Sequence, residues 1–413
     1  MIAIDYFKKF GFGFVLLFCL GVFHPVLSSK VAMMDLDLDV QSLNKSGSNF
    51  TKQVFWLGMF SFYFACFLSD FFSGRRNFKL EVKIHYFLVL VGISLVTVLW
   101  SEYPSYVIKR SLFQLIFMLT VALSFYYSVV NNGIEKVVRF SSYAVVLLIG
   151  VTVVLGVAFA GDGALVGFTK GKNILAANLC VLVILIMFLV GQLGIEIRKY
   201  GFLLFLITSL LIMTMSKTNI AICFALFFSL MFSVNKIKTA LVLSYFSLCM
   251  LFIFIPSVSY FFEGMWHLGL VLDPDALTGR GFIWDTLYYD LGFYEKVAFG
   301  YGYGSYFNVG VIPYFFDDGY SFIQYITSAH NGYIGLIMQF GFWLSLFVLL
   351  VFLLLLKDIG SRWQVTAIFV PLIHNITESS IYRDQNLIWM LFIVVVMSVC
   401  VKCRGDNEQE LSS

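Results

Sequence analysis

The sequence predicts an all-α polytopic membrane protein of about 12 transmembrane helices, and three observations predict it. Of the 413 residues 60% are hydrophobic and only 12% charged, the mean hydropathy is +0.90, and apolar runs of span length recur along the chain. A soluble domain carries about a quarter charged residues. Runs of ~20 apolar residues match the length of a helical crossing, whereas barrel strands alternate over ~10, so helices are expected. Lipid requires each span to satisfy its own backbone hydrogen bonds, so the chain should form one bundle.

The expected spans lie near Phe10–Leu27, Gln53–Phe72, Ile84–Trp100, Ser111–Val130, Phe140–Ala160 and Asn173–Gln192. They continue at Gly201–Met215, Asn219–Val234, Thr239–Ile255, Gly332–Leu356, Trp363–Ile376 and Leu387–Val401. No small-residue cleavage pattern follows the first run, which is therefore read as a helix and not as a leader. The organisation is a nine-helix bundle over 1–256, a large outer loop over 257–330, three helices over 331–402 and a polar tail over 403–413. The seven cysteines lie in apolar runs or at the end of the last helix, so no disulfide framework is implied, and Cys400 and Cys403 form an isolated C-x-x-C.

Basic residues near helix ends stay on the cytoplasmic side. With the N-terminus inside, the inner segments hold Lys8 and Lys9, Arg75, Arg76, Lys79 and Lys83, Lys136 and Arg139, Arg198 and Lys199, Lys236 and Lys238, Lys357 and Arg362, and Lys402 and Arg404. Both termini are thus expected inside and the 257–330 loop outside. The outer face then carries Trp100-Ser101-Glu102-Tyr103-Pro104 followed by Lys109 and Arg110, then Gly171-Lys172-Asn173, and the hairpin Met215-Ser216-Lys217-Thr218-Asn219. Cations on the side that topology disfavours point to an anionic ligand.

In the large loop Arg280 precedes Ile283, Trp284, Leu287, Tyr288 and Leu291 at helical spacing. That pattern predicts an amphipathic helix on the membrane interface, apolar side down, with Asp285 and Asp290 facing water. Arg280 has the planar fork that grips a phosphate; snorkelling or a pair with Asp285 explains it equally well. Lys217 interrupts an apolar run near membrane depth and is a candidate ligand contact. His330, beside Asn331 at a helix start, suits a general base because imidazole titrates near neutrality; a capping or packing role is the alternative. Gly300-Tyr301-Gly302-Tyr303-Gly304 lacks the Lys-Ser/Thr of a phosphate loop. It reads as a flexible turn whose tyrosines, Tyr303 included, stack on sugars or join an interfacial aromatic belt. Glu378 and Arg383 complete a charged outer rim.

Trp100-Ser101-Glu102-Tyr103-Pro104, Gly171-Lys172-Asn173, Ser216-Lys217-Thr218, Thr278-Gly279-Arg280 with Trp284, Gly300-x-Gly302-x-Gly304, His330-Asn331-Gly332-Tyr333 and Thr377-Glu378-Ser379 occur in this order. The set resembles the O-antigen ligase / O-antigen polymerase superfamily over Trp100 to about Trp389. The resemblance implies a glycosyltransferase C-like membrane enzyme of the bacterial inner membrane, metal-independent and inverting. It would take a glycan from an undecaprenyl diphosphate-linked donor on the periplasmic face, so the 257–330 loop becomes a large periplasmic loop containing amphipathic helices. His330 corresponds to the family's base and Arg280 to its diphosphate-binding arginine. Lys217 stands where many members carry Arg, which keeps the charge and loses the fork. Lys172, Asn331, Trp284, Tyr303 and Glu378 are the further substrate-binding residues expected from these motifs.

The chemistry is consistent with that expectation. Breaking a sugar–diphosphate bond sheds two to three negative charges, and with no acidic cluster spaced for Mg²⁺ the stabilisation falls to Arg280, Lys217 and Lys172. No cofactor, nucleotide or nucleic-acid partner is expected. The acceptor is either lipid A-core, for a ligase, or another lipid-linked glycan, for an O-antigen or exopolysaccharide polymerase. A transporter of twelve helices is the reading from another class. Asp70-Phe71-Phe72-Ser73-Gly74-Arg75-Arg76 loosely matches a major-facilitator signature, but the longest loop is late and outside and no two halves match.

Overall fold

The computed structural model describes residues 2–27, 50–75, 77–229, 231–263, 276–307, 309, 328–383 and 385–401. The expected tail 403–413, Cys403 and the side chain of Thr278 lie outside the described residues. Within them the chain is helical, with a single isolated bridge between Phe159 and Leu165. The first helices are α1 (Ile2–Cys19), α2 (Phe50–Phe72), α3 (Phe78–Val96), α4 (Pro104–Val130), α5 (Ile134–Val154), α6 (Lys172–Gly191), α7 (Gly201–Met213) and α8 (Lys217–Ser229). There follow α9 (Val234–Cys249), α10 (Ile255–Glu263), α11 (Ala276–Phe293), α12 (Gly332–Leu356), α13 (Arg362–Thr377) and α14 (Leu387–Ser398).

Among the described residues seven helices are long and apolar enough to cross a membrane, and α7, α8 and α14 are shorter apolar helices. The architecture is that of an α-helical membrane protein. Each of the twelve expected segments overlaps a helix, but many ends are displaced by several residues, as where the fourth begins at Pro104 instead of Ser111 and the fifth ends at Val154 instead of Ala160. The first helix begins at Ile2 and is over by Cys19, where Gly21 at φ 77° and then Pro25 follow, instead of reaching Leu27. The ninth runs on through a π turn, Met250–Phe254, into α10 and so extends past Ile255.

The core forms around α4, which packs against α1, α2, α3 and α14, and around α6, which packs against α7, α8 and α14. Outward residues such as Leu147, Phe202, Phe205 and Phe224 are exposed. In water such surfaces would favour association; against lipid tails they are at rest. At one end of the bundle Lys83, itself 1% exposed, reaches from α3 to Asp358 at 2.8 Å and to the Leu355 carbonyl at 2.9 Å. The other end carries the candidate residues, because the starts of α4, α6, α8 and α12 meet the ends of α3 and α13 there.

Helix α12 is broken at Gly341, where φ is 64° and ψ −172°. An uninterrupted helix was expected from its apolar run. The groups freed by the break are taken up by the segment after α11. Val297 O accepts from Phe342 N (2.8 Å) and Ala298 O from Trp343 N (3.3 Å), while Tyr301 N donates to Met338 O (2.9 Å) and Gly302 N to Gln339 O (3.0 Å). Irregular backbone survives at membrane depth only when protein satisfies it in this way. Gly300, at φ 66°, and Gly341 face each other so closely that a Cβ on either would lie on the other strand's backbone.

The Gly/Tyr-rich turn is therefore a docked wedge, not a flexible loop or an interfacial belt: Tyr301, Tyr303 and Tyr306 are buried. Trp100 Nε1 donates to Phe299 O at 2.9 Å, Tyr303 N donates to the Thr97 hydroxyl at 2.9 Å, and Arg110 donates to the carbonyls of Gly304 and, at 2.8 Å, Phe307. Arg110 thus serves the wedge, where an anionic ligand was expected. Helix α11 also departs from expectation. Trp284, Leu287, Tyr288 and Leu291 are buried against protein, and Asp290 is fully buried, accepting from Tyr306 Oη at 2.5 Å, while Asp285 alone of the pair is exposed.

Replacing Gly341 or Gly300 by Ala should cost roughly 3 kcal/mol or more, since a left-handed backbone and a backbone clash act together. Thermal unfolding in detergent should show a large fall in Tm or no folded protein. Gly92→Ala, in open space on α3, should leave Tm within a degree or two. Equal Tm values for all three would contradict the junction.

Candidate functional site

The site starts with the cap of α12. Asn331 Oδ1 accepts from the N–H groups of Tyr333 (2.9 Å) and Ile334 (3.1 Å), satisfying donors that a helix start leaves open. The residue before it, His330, has φ 48°, a conformation that costs energy for any residue but glycine. It is held on the other side by Trp284, whose Nε1 donates to Ala329 O at 3.0 Å. Trp284 is 1% exposed and packs edge-on against Phe252.

The end of α13 supplies the partner. Asn375 Oδ1 accepts from Ser380 N and Ile381 N, both at 3.1 Å, which turns the chain back after Glu378. Gly332 lies directly on Asn375, with no room for a side chain, so the start of α12 and the end of α13 are in register. His330 Nδ1 consequently stands 3.3 Å from Glu378 Oε2. Arg280, from α11, places Nη2 3.1 Å from Glu378 Oε1 and donates through Nη1 to Thr377 O. With Nδ1–H donated to the carboxylate, a neutral His330 ring keeps its lone pair on Nε2.

Burial pushes the Glu378 carboxyl up, but the hydrogen bond and charge of His330 and the charge of Arg280 outweigh it and hold the group below its ordinary 4.5. The Glu378 carboxylate stays ionised across the neutral range. The three side chains come from three separate segments, so their meeting is a tertiary feature.

His330 and Glu378 line a cavity of about 670 Å³. Lys172, Asn178, His374 and Arg383 share its wall, and Cys19, Ile174, Leu387 and Ile388 give it an apolar side. A second chamber of about 280 Å³ adjoins it, sharing Ser328, Ser379 and Arg383 and bounded by Tyr303, Phe307, Gly335 and Gln339. Small-ligand sites are concave spaces of this kind with a few convergent polar groups. Among the described residues no three His, Cys, Asp or Glu side chains gather where they could hold a metal ion.

The expected residues divide into groups. His330, Glu378 and Lys172 line the larger cavity, with Lys172 Nζ 2.6 Å from Asp162 Oδ2. Tyr303 lines the smaller one, stacked on Phe340. Trp284 and Asn331, expected to touch substrate, are buried supports of the His330 segment and line neither space. Arg280 grips protein oxygens, and its partner is Glu378, not Asp285. Lys217 is the exposed first residue of α8; the hairpin is tied to α6 by Ser216 Oγ donating to Asn173 Oδ1 at 3.0 Å, but Lys217 lines neither cavity. His374 and Arg383 are the further polar residues of the larger cavity; Arg383 belongs to the charged rim, and His374 with Asn375 repeats the dipeptide His330-Asn331, a signal in the sequence that could have pointed to it.

No family model, curated protein or solved structure matches this chain.

The lowered Glu378 value fixes the sign of a pH effect. A carboxyl more acidic in the folded than in the unfolded chain contributes stability that is complete above the unfolded value and lost as pH falls through the folded one. Melting curves in detergent from about pH 6 down to about pH 3 should show a smaller acid-induced fall in Tm for Glu378→Gln than for the native chain. An identical slope would mean that the carboxylate is not stabilised by its neighbours.

Proposed function

We propose that this chain is a membrane glycosyltransferase that moves a glycan from an undecaprenyl diphosphate-linked donor to a sugar hydroxyl of lipid A-core, the reaction of an O-antigen ligase. One observation carries the reading: His330, oriented by Glu378 and Arg280, lines a cavity whose wall is cationic on one part, through Lys172 and Arg383, and apolar on another. That combination suits a lipid-borne diphosphate donor beside a base for an alcohol. The family resemblance of the ordered motifs points the same way. The distribution of basic residues would set this end of the bundle on the periplasmic face of the inner membrane, with both termini in the cytoplasm.

In this mechanism the acceptor hydroxyl attacks the anomeric carbon from the side opposite the diphosphate. Its proton passes to His330 Nε2, the new C–O bond forms, and the old one breaks with its electron pair leaving on the diphosphate, so the anomeric centre inverts. Glu378 stabilises the imidazolium that results, as a carboxylate does in hydrolase triads. Arg383 and Lys172 meet the charge shed on the leaving group, a contribution of a few kcal/mol for each well-placed group. Arg280 acts through Glu378, holding the carboxylate in place.

Deleting the protein should leave lipopolysaccharide without O-chains on an electrophoretic gel while carrier-linked glycan accumulates. A core bearing a single repeat unit would instead assign it as a polymerase, and an unchanged ladder would remove both readings. His330→Ala should lower transfer by roughly 10²-fold or more with normal membrane insertion. Arg280→Lys should also lose activity, because one ammonium cannot hold Thr377 O and Glu378 together as the guanidinium fork does. Native rates in His330→Ala would remove the base.

A further inference from the structure

The smaller chamber has no role in the account so far, yet its composition differs from that of its neighbour. The larger cavity combines the base, Lys172 and Arg383 with apolar side chains, whereas the smaller shares Arg383 and also has Arg110, whose guanidinium donates to the Gly304 and Phe307 carbonyls, beside an aromatic wall at Tyr303 and Phe307 and neutral hydrogen-bonding groups at Ser328 and Ser379. The two meet at Ser328, Ser379 and Arg383, close in sequence to His330 and Glu378. Aromatic faces with uncharged donors and acceptors are the chemistry of a sugar ring, whose C–H faces stack while its hydroxyls bond.

Two details mark the chamber as built for an occupant. Ser379 Oγ is shielded from solvent and has no hydrogen-bond partner among the described residues, an arrangement that costs energy until something supplies one. Gly335 presents bare backbone on the face of α12 toward it: a Cβ there would meet only Ser379, at 3.5 Å from Oγ and 4.0 Å from Cβ, both ordinary contacts. An Ala at this helical position would therefore fit, and would also be the better helix former. The glycine keeps the space open and is not required by the fold.

We infer that the smaller chamber is the subsite for the acceptor's sugar ring, with Ser379 and Ser328 bonding its hydroxyls and Gly335 providing the room. This rests on the glycosyltransferase reading above. The lipid-borne donor takes the larger cavity, whose apolar side suits it. An acceptor ring in the smaller chamber presents its reactive hydroxyl across the shared wall toward His330. The volume of about 280 Å³ suits a sugar ring or two better than a long chain, so the chamber would read only the end of the acceptor.

The test uses the purified full chain with lipid A-core as acceptor and undecaprenyl diphosphate-linked glycan as donor. Gly335→Ala should raise the acceptor KM several-fold, and Gly335→Leu by roughly 10-fold or more, with the donor KM unchanged. Tm for Gly335→Ala should equal or exceed the native value. A rise in the donor KM instead, or no change in either, overturns the inference. Binding of lipid A-core alone, measured by thermophoresis without donor, separates the two proposals. Core binding by the native chain that Gly335→Leu loses supports the subsite even if no transfer is seen, in which case the glycosyltransferase reading fails. No core binding by the native chain, or equal binding by all three proteins, overturns the subsite.

Discussion

The structure depends on a backbone-to-backbone junction: the segment Val297–Gly302 pairs with α12 on both sides of its break at Gly341. A helix interrupted inside an apolar bundle exposes carbonyls and N–H groups that lipid cannot satisfy, and each would cost several kcal/mol if left open. Here another part of the chain supplies the partners, and the approach needs a glycine on each side, Gly300 and Gly341. The break and the wedge therefore require each other. Neither would be stable at that depth alone.

From this junction the geometry of the site follows. The wedge is joined directly to α11, so fixing it on α12 and against α3 and α4 also helps to fix α11. Helix α11 carries both Trp284, which holds Ala329, and Arg280, which holds Glu378. The wedge also provides Tyr303 to the smaller chamber. His330 can keep a left-handed backbone because a cap and a buried indole fix its two neighbours. Strain of that kind persists only where the surroundings over-determine it, and it concentrates at working sites.

The helices were legible in the sequence because hydropathy acts locally: a run long enough to span reads as a helix whatever its neighbours do. Their ends were less so, since Gly21 and the π turn after Cys249 shift a boundary without changing composition. The break at Gly341 was hidden, because glycine in an apolar run is tolerated in ordinary helices and only its partner at Gly300 makes it a kink. His330, Glu378 and Lys172 were identifiable as polar groups at the mouths of spans. The sequence could not show which cations are already occupied. Arg110 and Arg280 look like anion ligands in one dimension and hold protein oxygens in three. Asp290 was assigned to water from its helical spacing, yet the wedge covers that face and Tyr306 donates to one of its carboxylate oxygens. In each case the missing information was a contact between residues distant in sequence.

The central claim is that His330 and Glu378 act as one unit in removing the acceptor's proton. A double-mutant cycle on the transfer rate constant tests it most directly, comparing the native chain, His330→Ala, Glu378→Gln and the combined variant. Groups that act as a unit are strongly non-additive, so the combined variant should be no slower than His330→Ala alone. Losses that multiply, with the double variant slower by the product of the two single effects, would show that the carboxylate works independently of the imidazole and would contradict the account.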